Sequence, residues 1–427
     1  MPAAPAERPP FPAFLLYWLK LGFLSFGGPA GQIAMMHTEL VDRRRWIDQT
    51  RFLHALNFCT LLPGPEAQQL AIYVGWRLHG IAGGLVAGGF FVLPGALVLL
   101  TLSWIAAAHG EAPLVVALFD GVKPAVVAII VGAVWRIGRR ALKGPAAVAL
   151  AGAAFLALFG LHIPFPLVVA AAGVVGILAA WRHKAWFAPA HPADAASVPP
   201  DPPPSPWRLA AIAAVFLALW VVPVGLLLAA LGPEPWRGVA ALFTKAAFVT
   251  FGGAYAVLPY IAQQAVEVYG WLTPAEMLNG LALAETTPGP LILVTQFVGF
   301  FAGWNSPGAL SPFWGGVVGS ALTTYVTFLP CFLFIFAGAP YVERLIHNRW
   351  AGAALAAVTA AVVGVILNLG VYLGIEVLLP GGRPDLFAIA VAAAALAAML
   401  RWNTAVHTVV LGGAAAGLLK ALAAGLL

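Results

Sequence analysis

The sequence predicts an all-α, polytopic membrane protein of about thirteen transmembrane segments, arranged as two homologous, inverted repeats with broken helices. Three observations carry this expectation. Of 427 residues, 62% are hydrophobic and only 9% charged, against roughly 25% charged in a soluble domain, so a water-soluble fold could not cover its surface. The apolar runs are long and continuous rather than about ten residues of alternating polarity, which excludes an outer-membrane barrel. Landmarks in the first half recur in the second at a constant offset.

The first run, 14–36, follows a proline-rich start with Glu7 and Arg8 and no cleavage-site pattern, so no removable signal peptide is expected. Phe26-Gly27-Gly28-Pro29 interrupts it, and Pro63-Gly64-Pro65 interrupts the second run, 49–78. Runs at 80–108, 113–135, 146–160 and 164–181 complete an N-terminal unit, 1–181. Eight prolines between Pro189 and Pro206 then mark 182–208 as an extended cytoplasmic linker, a composition that cannot pack a core. The C-terminal unit, 209–427, holds runs at 209–231, 239–262, 275–303 (interrupted by Pro288-Gly289-Pro290), 313–337, 351–373, 386–400 and 403–426.

A shift of 225 residues aligns Lys20 with Lys245, Gly27-Gly28 with Gly252-Gly253, Trp46 with Trp271, and Pro63-Gly64-Pro65 with Pro288-Gly289-Pro290, without a gap. With each broken segment counted as one crossing, seven spans precede the second copy, and an odd number inverts it. Basic residues gather in short loops, where they report membrane orientation rather than nucleic-acid binding. Placing Arg136, Arg139, Arg140 and Lys143 in the cytoplasm also places Arg77, Arg182, Lys184, Arg344, Arg349 and Arg401 there, but leaves Arg43-Arg44-Arg45 outside. Treating both broken segments as re-entrant hairpins rescues that cluster but exports Arg344, Arg349 and Arg401, so the one-crossing count is favoured and the choice between spanning and re-entry stays open.

Broken helices at matching places in two inverted halves point to a transporter's binding site, because unwound backbone at membrane depth is tolerated where it lines a cavity. The half-helix N-termini beyond Gly27, Gly28, Gly252 and Gly253, and beyond the two Pro-Gly-Pro triplets, carry partial positive charge that suits an anion. Lys20 and Lys245, each seven residues before its glycine pair, add two charges that match a dianion. Gln68, Gln69, Thr286, Thr287 and Gln296 offer neutral donors near the triplets. Glu66 and Glu285 are candidates for proton coupling. Arg43, Arg44 and Arg45, with Glu39, form either a cavity mouth that gathers anions or a topogenic loop. Cys59 and Cys331 lie in apolar runs and read as small buried hydrophobes. The histidines show no metal-ligand spacing, and no phosphate-binding loop is present, so neither a cofactor, nor an enzyme activity, nor ATP drive is expected.

Phe26-Gly27-Gly28-Pro29 with Gln32 and Ile33, Glu39 with Arg43 to Trp46, Leu62-Pro63-Gly64-Pro65-Glu66-Ala67, Phe251-Gly252-Gly253 and Thr287-Pro288-Gly289-Pro290 together resemble the chromate ion transporter family in its long two-domain form. The resemblance implies a bacterial inner-membrane exporter of chromate that confers resistance and runs on an ion or proton gradient, with sulfate as a related substrate. It extends the candidate site to Gln32. The second copy lacks counterparts of Gln32, Glu39, the arginine triplet and Glu66, so the halves are expected to contribute unequally. The bilayer and the oxyanion are the expected partners, a homodimer is left open, and nucleic acid is not expected. A passive anion channel and a lipid-phosphate enzyme are the competing readings.

Overall fold

The computed structural model describes residues 8–26, 28–182, 186–187, 205–342 and 348–426. Gly27 and most of the expected linker, 182–208, lie outside these residues. Among the described residues the chain is helical, without strands. The N-terminal unit comprises α1 (Phe11–Leu24), α2 (Gly28–His37), α3 (Gln49–Leu61), α4 (Glu66–His109), α5 (Pro113–Ala141), α6 (Pro145–Phe159) and α7 (Phe165–Trp181). After α8 (Pro206–Leu231), the C-terminal unit repeats the order as α9 (Trp236–Val249), α10 (Ala254–Gln263), α11 (Pro274–Thr286), α12 (Val294–Asn305), α13 (Pro312–Gly338), α14 (Arg349–Leu378), α15 (Leu386–Trp402) and α16 (Val406–Ala423). The bounds of α1 and α9, and of α3 and α11, differ by the sequence offset of 225. A π-turn follows α2 at Thr38–Arg43 and α10 at Gln264–Val268.

Local chemistry sets these bounds. Asp48 caps α3 by accepting from the Arg51 amide, and Thr273 with Glu276 forms a capping box on α11 at the matching place. Both helices stop at a Pro-Gly-Pro triplet, where proline supplies no N–H donor and Gly64 and Gly289 adopt φ of +119° and +102°. Only glycine takes that conformation without strain.

The four broken segments are not crossings. Phe14, at the outer end of α1, stacks on Trp46 beyond the end of α2 and meets His79 edge-on. Helices α1 and α2 therefore enter from and return to one face. Helix α4 reverses at His79-Gly80, its short arm 66–78 packing back on its long arm 81–109 through Gly75 against Gly83, so α3 and that short arm form a second hairpin from the same face. In the C-terminal unit Trp271 packs on Phe243 and on Gly238, and accepts from the Asn305 amide through its carbonyl. Helices α9 to α12 thus form two further hairpins.

Those hairpins enter from the opposite face. Gly84 and Gly88 of α4 meet Phe336 and Phe332 of α13, while Trp104 near the end of α4 meets Phe313 at the start of α13, so the two long helices run antiparallel. Helix α8, without a counterpart in the first unit, runs antiparallel to α13 through Phe216 on Phe336 and a bond from the Tyr325 hydroxyl to the Leu219 carbonyl. It carries the chain from the first face to the second. The repeats are inverted, as expected, but by a different count.

This corrects the expectation that each broken segment spans the membrane, which had stranded Arg43, Arg44 and Arg45. With all four segments returning to their own face, those arginines share a face with Arg77, Arg136, Arg139, Arg140, Lys143, Arg182, Arg349 and Arg401. The opposite face carries Glu111, Glu234, Glu267, Glu276, Glu376 and Asp385, together with Arg237, Arg383 and Lys420. Among the described residues six helices are long and apolar enough to cross a bilayer, α4, α5, α8, α13, α14 and α16, which places the chain in the membrane as a multi-pass protein. Helices α6, α7 and α15, of 15 to 17 residues, are roughly 22–26 Å long and pack in pairs on the long helices. Gly364 of α14 sits against the Ala151 carbonyl of α6, and Gly121 of α5 against Gly413 of α16. Such backbone-to-backbone approach is how helices associate where lipid removes the hydrophobic drive.

Cysteine labelling tests the topology. Arg45→Cys and Arg140→Cys should react with an impermeant thiol reagent from one side of the membrane, and Glu276→Cys from the other, with the buried Cys59 and Cys331 silent. Reaction of Arg45→Cys and Arg140→Cys from opposite sides would restore the one-crossing reading.

Candidate functional site

The hairpin tips meet at the centre of the molecule. The Gly64 amide donates to the Thr250 carbonyl at 2.7 Å, and the Gly289 amide donates to the Ser25 carbonyl at 2.9 Å. Each bond joins the Pro-Gly-Pro tip of one repeat to the glycine break of the other, and the pair obeys the internal two-fold. Four helix N-termini, of α2, α4, α10 and the 3₁₀ turn before α12, start at these tips.

The amides and hydroxyls suggested as oxyanion donors are largely engaged here by backbone. Gln32 is fully buried and donates to the Ser25 and Gly289 carbonyls at 2.9 and 2.7 Å, reinforcing one inter-repeat bond. Gln69 donates to the Pro63 carbonyl at 2.7 Å and Gln296 to the Ala96 carbonyl at 2.7 Å. Thr286 and Thr287 donate to Leu283 at 3.0 and 2.6 Å, serving the carbonyls that the end of α11 leaves open. Gln68 is buried with neither amide atom bonded, and faces an apolar cavity of about 390 Å³ beneath α8, beside Phe216, Phe328 and Phe332. That lining carries no cation.

The cations gather elsewhere. Lys20 lines a cavity of about 500 Å³ between the arms of the first hairpin, together with Tyr17, Thr38, Glu39, Arg43 and Arg44. Glu39 accepts from Arg43 Nη1 at 2.6 Å and from Arg44 Nε at 3.3 Å. Arg44 also lies 5.0 Å from the ring centroids of both Tyr17 and Trp46, so its planar guanidinium is held on two aromatic faces and a carboxylate. Three cations against one carboxylate leave the cavity with two net positive charges. Arg45 lies next to this group in a left-handed turn at φ +52°.

Lys245 occupies the equivalent place on the exposed side of α9, but its surroundings differ. The positions matching Glu39, Arg43 and Arg44 are Gln264, Val268 and Tyr269. The two lysines therefore stand in unlike hairpins on opposite faces, and the structure groups Lys20 with arginines instead of with Lys245.

The two carboxylates also differ. Glu66 is half-buried in the first turn of α4, where the helix dipole favours a negative charge. Glu285 is half-buried in the last turn of α11 and accepts from the Tyr255 hydroxyl of α10. Arg136 of α5 lies within electrostatic reach of both members of that pair. Tyr255 and Arg136 were not singled out as site residues by the sequence. Tyr255 follows Gly253 by two positions, which was its one signal, and Arg136 looked like the first member of a topogenic cluster.

The Arg43 guanidinium that donates to Glu39, with Arg44 beside it, holds that carboxyl below its ordinary value of 4.5 despite partial desolvation. A carboxyl lowered in this way holds its partners above the ordinary value and releases them only as pH falls through the lowered one. Sulfate affinity of the purified protein, by calorimetry, should therefore stay level between about pH 5 and 8, a range in which sulfate itself stays a dianion. A midpoint inside that window would show that Glu39 does not set the geometry.

Comparison with known proteins follows the two-unit plan. The chromate transporter family model matches residues 13–177 and 238–418. A chromate transport protein of Pseudomonas aeruginosa is 36% identical over 373 residues, 84% of this chain and 81% of that protein. A second, of Cupriavidus metallidurans, is 28% identical over 82% of this chain and 80% of its own length. An uncharacterised transporter of Bacillus subtilis is 31% identical over 162 residues, which are 37% of this chain but 90% of that protein, the size of one repeat. No solved structure matches the chain.

Proposed function

The chain belongs to the chromate transporter family, and from that premise we propose that it exports chromate from the cytoplasm across the bacterial inner membrane by secondary active, proton-coupled transport. The observation that carries this reading is the basic cavity of the first hairpin. Chromate is a tetrahedral dianion, and Lys20, Arg43 and Arg44 offset by Glu39 present two net positive charges to it.

Direction follows from the asymmetry of the repeats. Basic residues favour the cytoplasmic side of short loops, which makes the arginine-bearing face cytoplasmic and opens the cavity to the cell interior. At the outer face the positions matching Glu39, Arg43 and Arg44 are uncharged and Lys245 stands without arginine partners, so the protein gathers anions from inside. Low intracellular chromate, and hence resistance, is the consequence for the cell. Sulfate has the same shape and charge, so the cavity admits it as a competitor.

Uphill export needs a second ion. Glu285 supports a proton as that ion, since a carboxylate in a membrane interior takes up and releases a proton more readily than it stays charged. Its Tyr255 partner supplies a hydroxyl for transfer. The inverted hairpins, joined at their tips among the described residues by two backbone bonds and Gln32, provide an element that can rock between the faces.

Inverted membrane vesicles given labelled chromate in the bath test this. Accumulation against a chromate gradient should require an imposed pH gradient, and unlabelled sulfate should compete. Lys20→Ala and Arg44→Ala should each lower the initial rate about tenfold at limiting chromate, equivalent to about 1.4 kcal/mol of binding, whereas Lys245→Ala should leave it within about twofold. Glu285→Gln should keep downhill exchange and lose accumulation. Accumulation by the Glu285→Gln protein would remove that residue from coupling, and flux that never exceeds equilibrium in the unaltered protein would indicate a channel.

A further inference from the structure

Tyr255, Pro259, Gln263 and Glu267 follow one another at four-residue steps along α10 and the π-turn that continues it. Side chains at that spacing share one helix face. Pro259, Gln263 and Glu267 line a cavity of about 340 Å³ together with Tyr260, with His162 from the turn between α6 and α7, and with Asn368 and Tyr372 of α14. This cavity lies toward the acidic face, where α10 returns to the surface and α14 approaches its end. Its lining, polar on the side of His162, Gln263, Glu267, Asn368 and Tyr372 and apolar at Phe159, Phe165 and Leu369, contrasts with the cationic cavity of the first hairpin: Glu267 stands where the first repeat has Asp42, and no lysine or arginine lines it.

We propose that this cavity is the outer-face mouth of a proton path that runs along α10 to the Tyr255–Glu285 pair. The proposal rests on the proton-coupled reading given above. Beyond the cavity floor at Pro259, Tyr255 is one helical turn deeper. Proline lacks the N–H that would engage the Tyr255 carbonyl, which leaves that oxygen open to a water on the way from the cavity toward the tyrosine. Tyr255 donates its hydroxyl hydrogen to Glu285. A proton from outside water arrives at the tyrosine oxygen as the original hydroxyl proton passes to the carboxylate, and Glu285 becomes neutral. On the return it leaves toward the cytoplasmic face and the carboxylate is restored. No bond other than O–H changes.

The charged and titratable groups around each end are few. Glu285 faces Tyr255 from α10 and Arg136 from α5. At the mouth, Tyr372 lies within electrostatic reach of Glu267 and of Glu376 on its own helix, and His162 closes the cavity from the α6–α7 turn. Two carboxylates and an imidazole at the mouth draw protons toward it, while Arg136 at the inner end discourages a proton from resting there once chromate has left.

The test uses the whole protein in proteoliposomes with an internal pH dye and labelled chromate, driven by an acid pulse on the outer face. Glu267→Gln and Tyr255→Phe should each cut proton uptake per chromate by about tenfold or more without altering chromate affinity in detergent. His162→Asn, which keeps the left-handed backbone at φ +52°, should slow proton uptake. Gln263→Cys gives a check on already folded protein, because an impermeant thiol reagent added outside should plug the cavity and stop proton uptake while Cys59 and Cys331 stay buried. Unchanged proton uptake in Glu267→Gln and in labelled Gln263→Cys, with Glu285→Gln inactive, would overturn the route and leave the coupling reading standing. Chromate flux in the unaltered protein that ignores the pH gradient would overturn both.

Discussion

Two backbone hydrogen bonds hold the architecture together: Gly64 to Thr250 and Gly289 to Ser25. Unwound backbone at membrane depth finds no water, and each unsatisfied N–H or C=O costs several kcal/mol there. A re-entrant tip therefore needs a partner of its own kind. Each repeat offers a donor at its Pro-Gly-Pro triplet and an acceptor at its glycine break, and inversion lets the two copies exchange them. Gln32, present in one copy only, adds two further bonds at the same junction. Much of the polar side-chain inventory near the tips is likewise spent on carbonyls that helix ends leave open.

That expenditure favours the proposed reading in which the anion is gathered away from the tips. With Gln69, Gln296, Thr286 and Thr287 committed to backbone, the available positive charge lies between the arms of the first hairpin, where Arg44 rests on Tyr17 and Trp46. The duplication has diverged at the corresponding positions of the second hairpin into Gln264, Val268 and Tyr269. In the function proposed above, one copy keeps the groups that gather a dianion, the other keeps Glu285, Tyr255 and the partly polar cavity assigned to the proton, and inversion puts the two on opposite faces.

Membrane class, duplication and the positions of all four breaks were legible in the sequence because each rests on local chemistry. Apolar runs report bilayer solvation. Pro63-Gly64-Pro65 and its copy stop helices whatever surrounds them, and a gapless shift of 225 residues survives only if the copies fold alike. Lys20, Arg43, Arg44, Glu39 and Glu285 stood out for the same reason, as charges in a chain with few.

Tertiary structure alone decided how the broken segments run and which residues meet. A half-helix that returns and one that continues share a sequence signature; contacts such as Phe14 with His79 and Trp46 separate them, since they depend on chain segments more than thirty residues apart. Pairing of Lys20 with Arg43 and Arg44 required the hairpin to close, and Tyr255 gains its meaning only through Glu285 on the next hairpin. Helix-breaking and solvation are properties of short stretches of chain, so sequence determined where the backbone unwinds. Charge grouping and proton routes are properties of space between segments, and only folding creates that space.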